Sequence, residues 1–550
     1  MKRNKIALAG VALFAGGALA LAGCAGGSGN TGDGGNGGAK ADPDAIITTN
    51  GSEPENPLIP TNTNEVGGGK ILDEIFAGLV YYDAEGKPVN DMAEEITTED
   101  PQHLTVKLKE GQTFSNGEEV TADNFIKAWN YGAQAENAHL SSYFFEDIEG
   151  FQNTPDVYGA QGDMSGLQQV DDYTFTITLN KPAADFALRL GYSAYYPLPD
   201  VAFEDIDAFG ENPIGNGPYK LDGEGAWQHD VQIDLVRNDD YDGGRKAKNG
   251  GLSIIFYATQ DAAYADLQGN KVDVIDVIPS VSLPTFQDDL GDRAVNQPSA
   301  VFQSFTIGQF LPHFSGEEGI LRRQAISMAF DRDQITDKIF FGTRTTASDF
   351  TSPVIDGWSD SIKGNEVLKY DPEKAKELWA EADAISPWEG EFKIAYNTDG
   401  GHQEWVDAVT NAISNTLGIE ASGDPYPTFS VIREEINNNS IKTAARSGWQ
   451  ADYPGLYNFL GPLYATNAGS NDGDYSNPEF DALIAEGISN TDTAAQVEEF
   501  TKAQEILFND LPAIPLWYSN VTGGYADTVD NVTFGWNSVP LYYEITKAAE

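Results

Sequence analysis

The sequence predicts an α/β fold. From about Ala45 onward, segments apolar at every second residue alternate with segments apolar at helical spacing, and no fixed-period repeat replaces that alternation. The length of 550 residues is enough for a large core divided over two or three domains. Strands are predicted where Leu104, Val106 and Leu108, then Tyr173, Phe175, Ile177 and Leu179, then Val231, Ile233 and Leu235 put apolar side chains on one face of an extended segment. A helix is predicted over 122–131, with Thr121 as its cap and Phe125, Ile126 and Trp129 on a shared face. Another begins at Asp371-Pro372, a capping residue followed by proline at the first helical position. A third runs from about Gln403 to Leu417, stopped by Gly418. Strands and helices interleave, which a sandwich or a bundle would not require.

The first residues read as an address. Lys2, Arg3 and Lys5 precede an apolar run, 6–20, broken only by glycines. That is the build of a secretory signal, too short and too lightly flanked for a permanent span, and no later stretch approaches the roughly 20 apolar residues a span needs. The run ends in Leu21-Ala22-Gly23-Cys24, which resembles a bacterial lipobox. The resemblance implies cleavage before Cys24 and acylation of its sulfur; a plain signal peptide with a chance cysteine is the alternative. A thiol suits the chemistry because its thiolate is strongly nucleophilic, and a second acyl chain makes such an anchor durable. Cys24 is the only cysteine, so acylation leaves no thiol for a disulfide, a metal or catalysis. Residues 25–40 are rich in Gly and small polar residues and read as a flexible tether. Within them Gly32-Asp33-Gly34-Gly35-Asn36-Gly37 matches a dinucleotide-binding pattern, but no strand or helix pattern flanks it.

Charge and missing motifs narrow the function. With 33 basic and 85 acidic residues, the formal charge of −52 makes nucleic acid and anionic head groups poor partners. A repulsive, soluble surface accounts for that charge as well as cationic ligands would. The five histidines, His103, His139, His229, His313 and His402, are scattered and show no zinc-ligand spacing. No GxSxG elbow and no phosphate-binding GxxxxGK[ST] occurs. Asn238, Asp240, Asp242 and Gly243 begin like a calcium loop, but position twelve is Asn249 instead of glutamate. No cofactor and no metal is expected. A secreted hydrolase is the rival from another class, since 85 acids offer many carboxylate pairs.

Motifs in a shared order carry a family resemblance. Asn212-Pro213-Ile214-Gly215-Asn216-Gly217-Pro218-Tyr219-Lys220-Leu221 is followed by Arg237-Asn238-Asp239-Asp240-Tyr241, and then by 261–279 with its Gly269-Asn270 turn and a short strand at Val272-Asp273-Val274. Leu321 to Arg332 and Tyr370 to Leu378 complete the series. The chain resembles the extracellular solute-binding proteins of family 5, the oligopeptide- and dipeptide-binding lipoproteins of bacterial ABC importers. The resemblance implies a two-lobed, periplasmic-binding-protein-like receptor, hinged by crossing strands, with an extra small domain on the first lobe. It sets a signal peptide at 1–23, a lipidated linker at 24–41 and lobe I at 42–76, 201–300 and 519–550. The extra domain is then 77–200 and lobe II 301–518. It implies short peptides as ligands, an importer permease and ATPase as partners, a monomer, and a lipid-anchored position outside the cytoplasmic membrane. The long Gly-rich tether hints at a Gram-positive envelope.

The resemblance also implies a site. Arg446-Ser447-Gly448-Trp449-Gln450-Ala451-Asp452-Tyr453-Pro454 is similar to the segment in which an aspartate takes the ligand's α-ammonium, which makes Asp452 the candidate; a turn-capping aspartate is the structural alternative. Peptides of varied sequence share only a backbone and two terminal charges, so a tolerant receptor fixes those and leaves room for side chains. For the carboxylate end the resemblance points to Arg446 and to His402, which precedes a helix whose N–H groups favour an anion. Gly448 and Trp449 offer backbone and an aromatic wall. Val66, in Asn64-Glu65-Val66, aligns with a ligand-contacting loop, although Gly67-Gly68-Gly69 departs from the family pattern. Relatives of this fold also carry oligosaccharides or metal chelates, which remain alternative ligands.

Overall fold

The computed structural model describes residues 41–154, 156–438 and 440–549. The signal-like run, Cys24 and the Gly-rich tether with its GxGxxG pattern lie outside the described residues. Ala41 itself begins the strand Ala41–Asp42, which pairs antiparallel with Thr546–Ala548. Among the described residues no helix is long and apolar enough to cross a membrane.

Residues 41–550 form one compact unit around a mixed twelve-stranded sheet. One half runs in the order Tyr219–Leu221, Gln232–Arg237, Gly251–Phe256, Ile46–Gly51, Val274–Ile275, and the other in the order Ala444–Gln450, Glu391–Asn397, Glu420–Tyr426. Both halves contain parallel pairs: 251–256 with 46–51, and 391–397 with 444–450 and 420–426. Parallel pairs require crossover connections, and one of the helices predicted from sequence supplies such a connection. The helix Gln403–Leu417 joins two parallel strands and ends at Gly418, whose φ of +71° is the left-handed stop that glycine adopts without cost. Pro372–Ile385 is capped by the Asp371 carboxylate, which accepts from the Lys374 N–H at 3.0 Å.

Two strands of 13 residues, Ala294–Thr306 and Ala513–Tyr525, lie between the halves and belong to both. Residues 294–298 pair with 520–524 beside the first half, while 301–306 pair with 445–450 in the second. Register shifts occur between Pro298 and Val301 and between Gln303 and Ser304. Such irregularities bend and twist a strand locally, and Pro298 brings no N–H to the ladder.

A separate four-stranded antiparallel sheet, ordered Ala93–Asp100, His103–Leu108, Thr174–Thr178, Leu167–Asp171, occupies the chain between residues 93 and 178. The helix Ala122–Ala133 packs on it through Phe125 and Trp129, whose rings lie 6.0 and 5.6 Å from that of Phe175. All three side chains are fully buried, as their spacing predicts.

Two sequence expectations shift. The motif Leu321 to Arg332, which resembles a single helix of the family, is the end of Gly316–Met328 and the start of Arg332–Lys338. Asp331 stands between them because its carboxylate caps the second helix at the Gln334 N–H, 3.0 Å away. The stretch after Glu65, read as a loop, is the helix Val66–Ile75 despite three glycines in its first turn. A Cβ at Gly67 would meet Ser52 Oγ at 2.5 Å, and one at Gly68 would meet Thr63 Cγ2 at 2.5 Å. The glycines allow the helix to press against the preceding chain.

Candidate cleft between the two lobes

Asp452 lies two residues beyond the strand Ala444–Gln450, just before the helix Leu456–Tyr464. Its geometry is set by Asn458, which is 2% exposed. The Asn458 amide N–H donates to the Asp452 carboxylate at 3.0 Å, and its carbonyl oxygen accepts from the Asp452 backbone N–H at 3.0 Å and the Trp449 indole N–H at 2.9 Å. Among the described residues the Asp452 carboxylate caps no backbone N–H and forms no ion pair, so the turn-capping role is not the one it plays here. Burial pushes its pKa up to about 6, against the pull of the Asn458 amide.

This carboxylate lines a cavity of about 240 Å³ walled by segments distant in sequence. Thr63 to Val66 and one face of helix Val66–Ile75 line it together with Tyr82, Tyr192 and Tyr196 and with residues of the stretch from Trp536 to Leu541. Val66 is half exposed at its rim.

A second cavity, of about 440 Å³, sets Lys338 and Arg344 against a single acid, Glu404, among the described residues of its lining. Lys338, Arg344 and His402 line it, with Gln303, Trp405 and Trp517 as its floor and Ser280 to Pro284 across from them. The Trp405 indole donates to His402 Nδ1 at 3.2 Å, which puts the proton of the neutral imidazole on Nε2. The Arg344 guanidinium donates to the Thr343 carbonyl at 2.7 Å and lies 5.1 Å from the Phe340 ring centre. It joins no ion pair among the described residues, and burial lowers its pKa to about 10, still charged at neutral pH.

Register fixes how the two cavities relate. Arg344 pairs with Ser519, Ser519 with Val301, and Val301 with Gln450, one row across four strands. Paired residues point to the same face, so Gln450 at the acidic cavity and Arg344 at the basic one share one side of the sheet. Three strand spacings of roughly 4.8 Å put these two rungs about 14 Å apart.

The sequence-predicted residues divide between these places. Asp452 and Val66 line the acidic cavity and His402 the basic one. Arg446 lies in neither: its Nε donates to Asn397 Oδ1 at 2.9 Å, its guanidinium covers the Phe429 ring at 4.8 Å, and it borders a small niche with Asp472. Gly448 sits against Gln303, where a Cβ would approach Nε2 to 2.7 Å, and Trp449 lines neither large cavity. Sequence reasoning missed Arg344 and Asn458. Asn458 lies six residues after Asp452, in the first turn of the helix Leu456–Tyr464, and its burial is seen only in the fold; nothing in Thr343-Arg344-Thr345 marks Arg344.

Two lobes joined by a pair of long strands, with charged cavities where they meet, define a two-lobed solute-binding protein. The chain belongs to the bacterial extracellular solute-binding proteins of family 5, whose middle-region profile matches residues 87–471. It is 26% identical over 487 residues to the oligopeptide-binding protein OppA of Bacillus subtilis, covering 86% of each chain. It is 25% identical to the dipeptide-binding protein DppE of the same organism, over 94% of this chain and 95% of that one. The fold matches the crystal structure of Haemophilus influenzae OppA in complex with RPPGFSPFR, with a TM-score of 0.74 over 93% of this chain and all of the other, at 22% identity.

Proposed function

We propose that the protein is a peptide receptor that captures oligopeptides outside the cytoplasmic membrane and delivers them to an ABC importer. The observation that carries this reading is the opposition of two charged cavities on one face of the sheet. Asp452 takes the α-ammonium in one, and Arg344, with His402 and Lys338, takes the terminal carboxylate in the other. The Gln450 and Arg344 rungs lie about 14 Å apart and an extended chain advances roughly 3.3 Å per residue, so a short peptide can reach from one cavity to the other. Arg446 serves the cleft as a neighbour of Asn397 and not as the principal carboxylate partner. In this reading lobe I comprises 42–76, 201–300 and 519–550, the extra domain 77–200, and lobe II 301–518; closure bends the crossing strands at Pro298–Val301. Cys24 carries the lipid anchor, 25–40 the tether, and the receptor works as a monomer without catalysis of its own.

The test is mass spectrometry of the purified protein under native and denaturing conditions. Released masses that fragment as short peptides are expected. Adducts that fragment as sugars or metal chelates would leave the receptor fold standing and withdraw the peptide assignment.

A further inference from the structure

The cavity at Asp452 is lined by more acidic side chains than one α-ammonium requires. Along the helix Val66–Ile75, residues Val66, Gly69, Lys70, Asp73 and Glu74 recur at helical spacing and line it as one face. Both cations in the wall are already engaged. Lys70 Nζ donates to Asp276 at 2.6 Å and to the Asn50 carbonyl at 3.2 Å. Arg245 donates to Asp91 at 3.4 Å and to the carbonyls of Asp73 and Phe76. Asp73 accepts from the Tyr196 hydroxyl at 2.8 Å. Glu74 is 4% exposed, burial pushes its pKa up to about 8, and its Oε2 has no hydrogen-bond partner among the described residues; a cation beside it would draw it to the ionised form. A buried acceptor left unpaired is costly, and the cost disappears when a donor enters. The same acids converge on one ring: burial, then Asp452 and Asp73, with Glu65 a smaller cause, push the Tyr192 phenol well up.

We propose that this cavity contains a second cation subsite, in which Glu74, backed by Asp73, receives the Lys or Arg side chain of a peptide's first or second residue while Asp452 holds the α-ammonium. The inference rests on the peptide reading above and adds a side-chain preference to it. Among the described residues no three acidic, histidine or cysteine side chains are grouped as a metal site, so the charge calls for an organic cation. An ammonium or guanidinium on a flexible stem carries three to five donors and reaches an acceptor that no neutral side chain satisfies.

The test is calorimetric titration of the full chain with Lys-Ala-Ala-Ala, Ala-Ala-Ala-Ala and spermidine, in the wild type, Glu74→Gln and Asp73→Asn. The lysine peptide is expected to bind at least tenfold tighter than the alanine peptide, with that ratio falling at least fivefold in Glu74→Gln and less in Asp73→Asn. If Glu74→Gln does not fold, the ratios in the wild type and in Asp73→Asn carry the test. Equal affinities for the two peptides in the wild type would overturn the subsite and leave the peptide reading intact. A ratio retained in both variants would overturn the role of Glu74. Binding of neither peptide would overturn the peptide reading and this inference together. Spermidine binding more tightly than either peptide would assign the cation site to a free polyamine and overturn the side-chain preference.

Discussion

At the Asp452 end of the cleft one carboxylate stands at a fixed point, oriented by a single buried amide, Asn458. At the Arg344 end two cations and an imidazole stand on three separate elements: Lys338 closes the helix Arg332–Lys338, Arg344 opens the strand Arg344–Thr346, and His402 precedes the helix Gln403–Leu417. In the proposed reading an amino terminus is fixed in one position, while a carboxylate finds partners over a range of positions. The difference teaches how a receptor accepts several ligand lengths: it anchors one end and spreads charge at the other.

The largest test of that asymmetry is Asp452→Ala. Leaving an ammonium buried without its partner costs about 2–5 kcal/mol, a loss of roughly 30- to 3,000-fold in affinity for a tetrapeptide, read by calorimetry. Unchanged affinity would remove Asp452 from the site. A second test uses pH. Burial pushes the Asp452 carboxyl up to about 6, and a bound ammonium favours its ionised form. Affinity should be level above pH 6 and fall about tenfold per unit below it, because the proton then competes with the ligand. Asp452→Asn should flatten this profile, and an affinity that rises on acidification would break the scheme. The smallest effect is expected for Arg344→Met, a loss of about 3- to 10-fold, since a hydrogen bond to a charged group is worth about 1.5–3 kcal/mol and Lys338 and His402 remain to offset part of it. A loss as large as that of Asp452→Ala would show that the basic end is also a single anchor.

Local chemistry was legible in the sequence, and register was not. The helix Gln403–Leu417 could be read with both its ends because Gly418 and the 3.6-residue pattern act within a few residues of each other. The same holds for Thr121 ahead of Ala122–Ala133. The strand Ala294–Thr306 resisted reading: it contains Pro298, its neighbours lie some 150 and 220 residues away in sequence by its pairing with Ala444–Gln450 and Ala513–Tyr525, and its register shifts break the alternation. Asp452 could be found through a nine-residue motif, but the row that carries Arg344 exists only once four strands have paired. Arg446 stood out for its neighbours in sequence, and those neighbours do not decide which cavity a side chain reaches.

The strand Ala513–Tyr525 sits in the middle of the large sheet, between Val274–Ile275 and Ala294–Thr306. During synthesis it emerges long after both of these neighbours. Until it arrives, the two flanking strands present open edges, the kind of surface on which incomplete chains aggregate. The sheet is thus closed at its centre after its flanks have been made, and a chain halted at residue 512 would keep only one of the two strands that tie its lobes together.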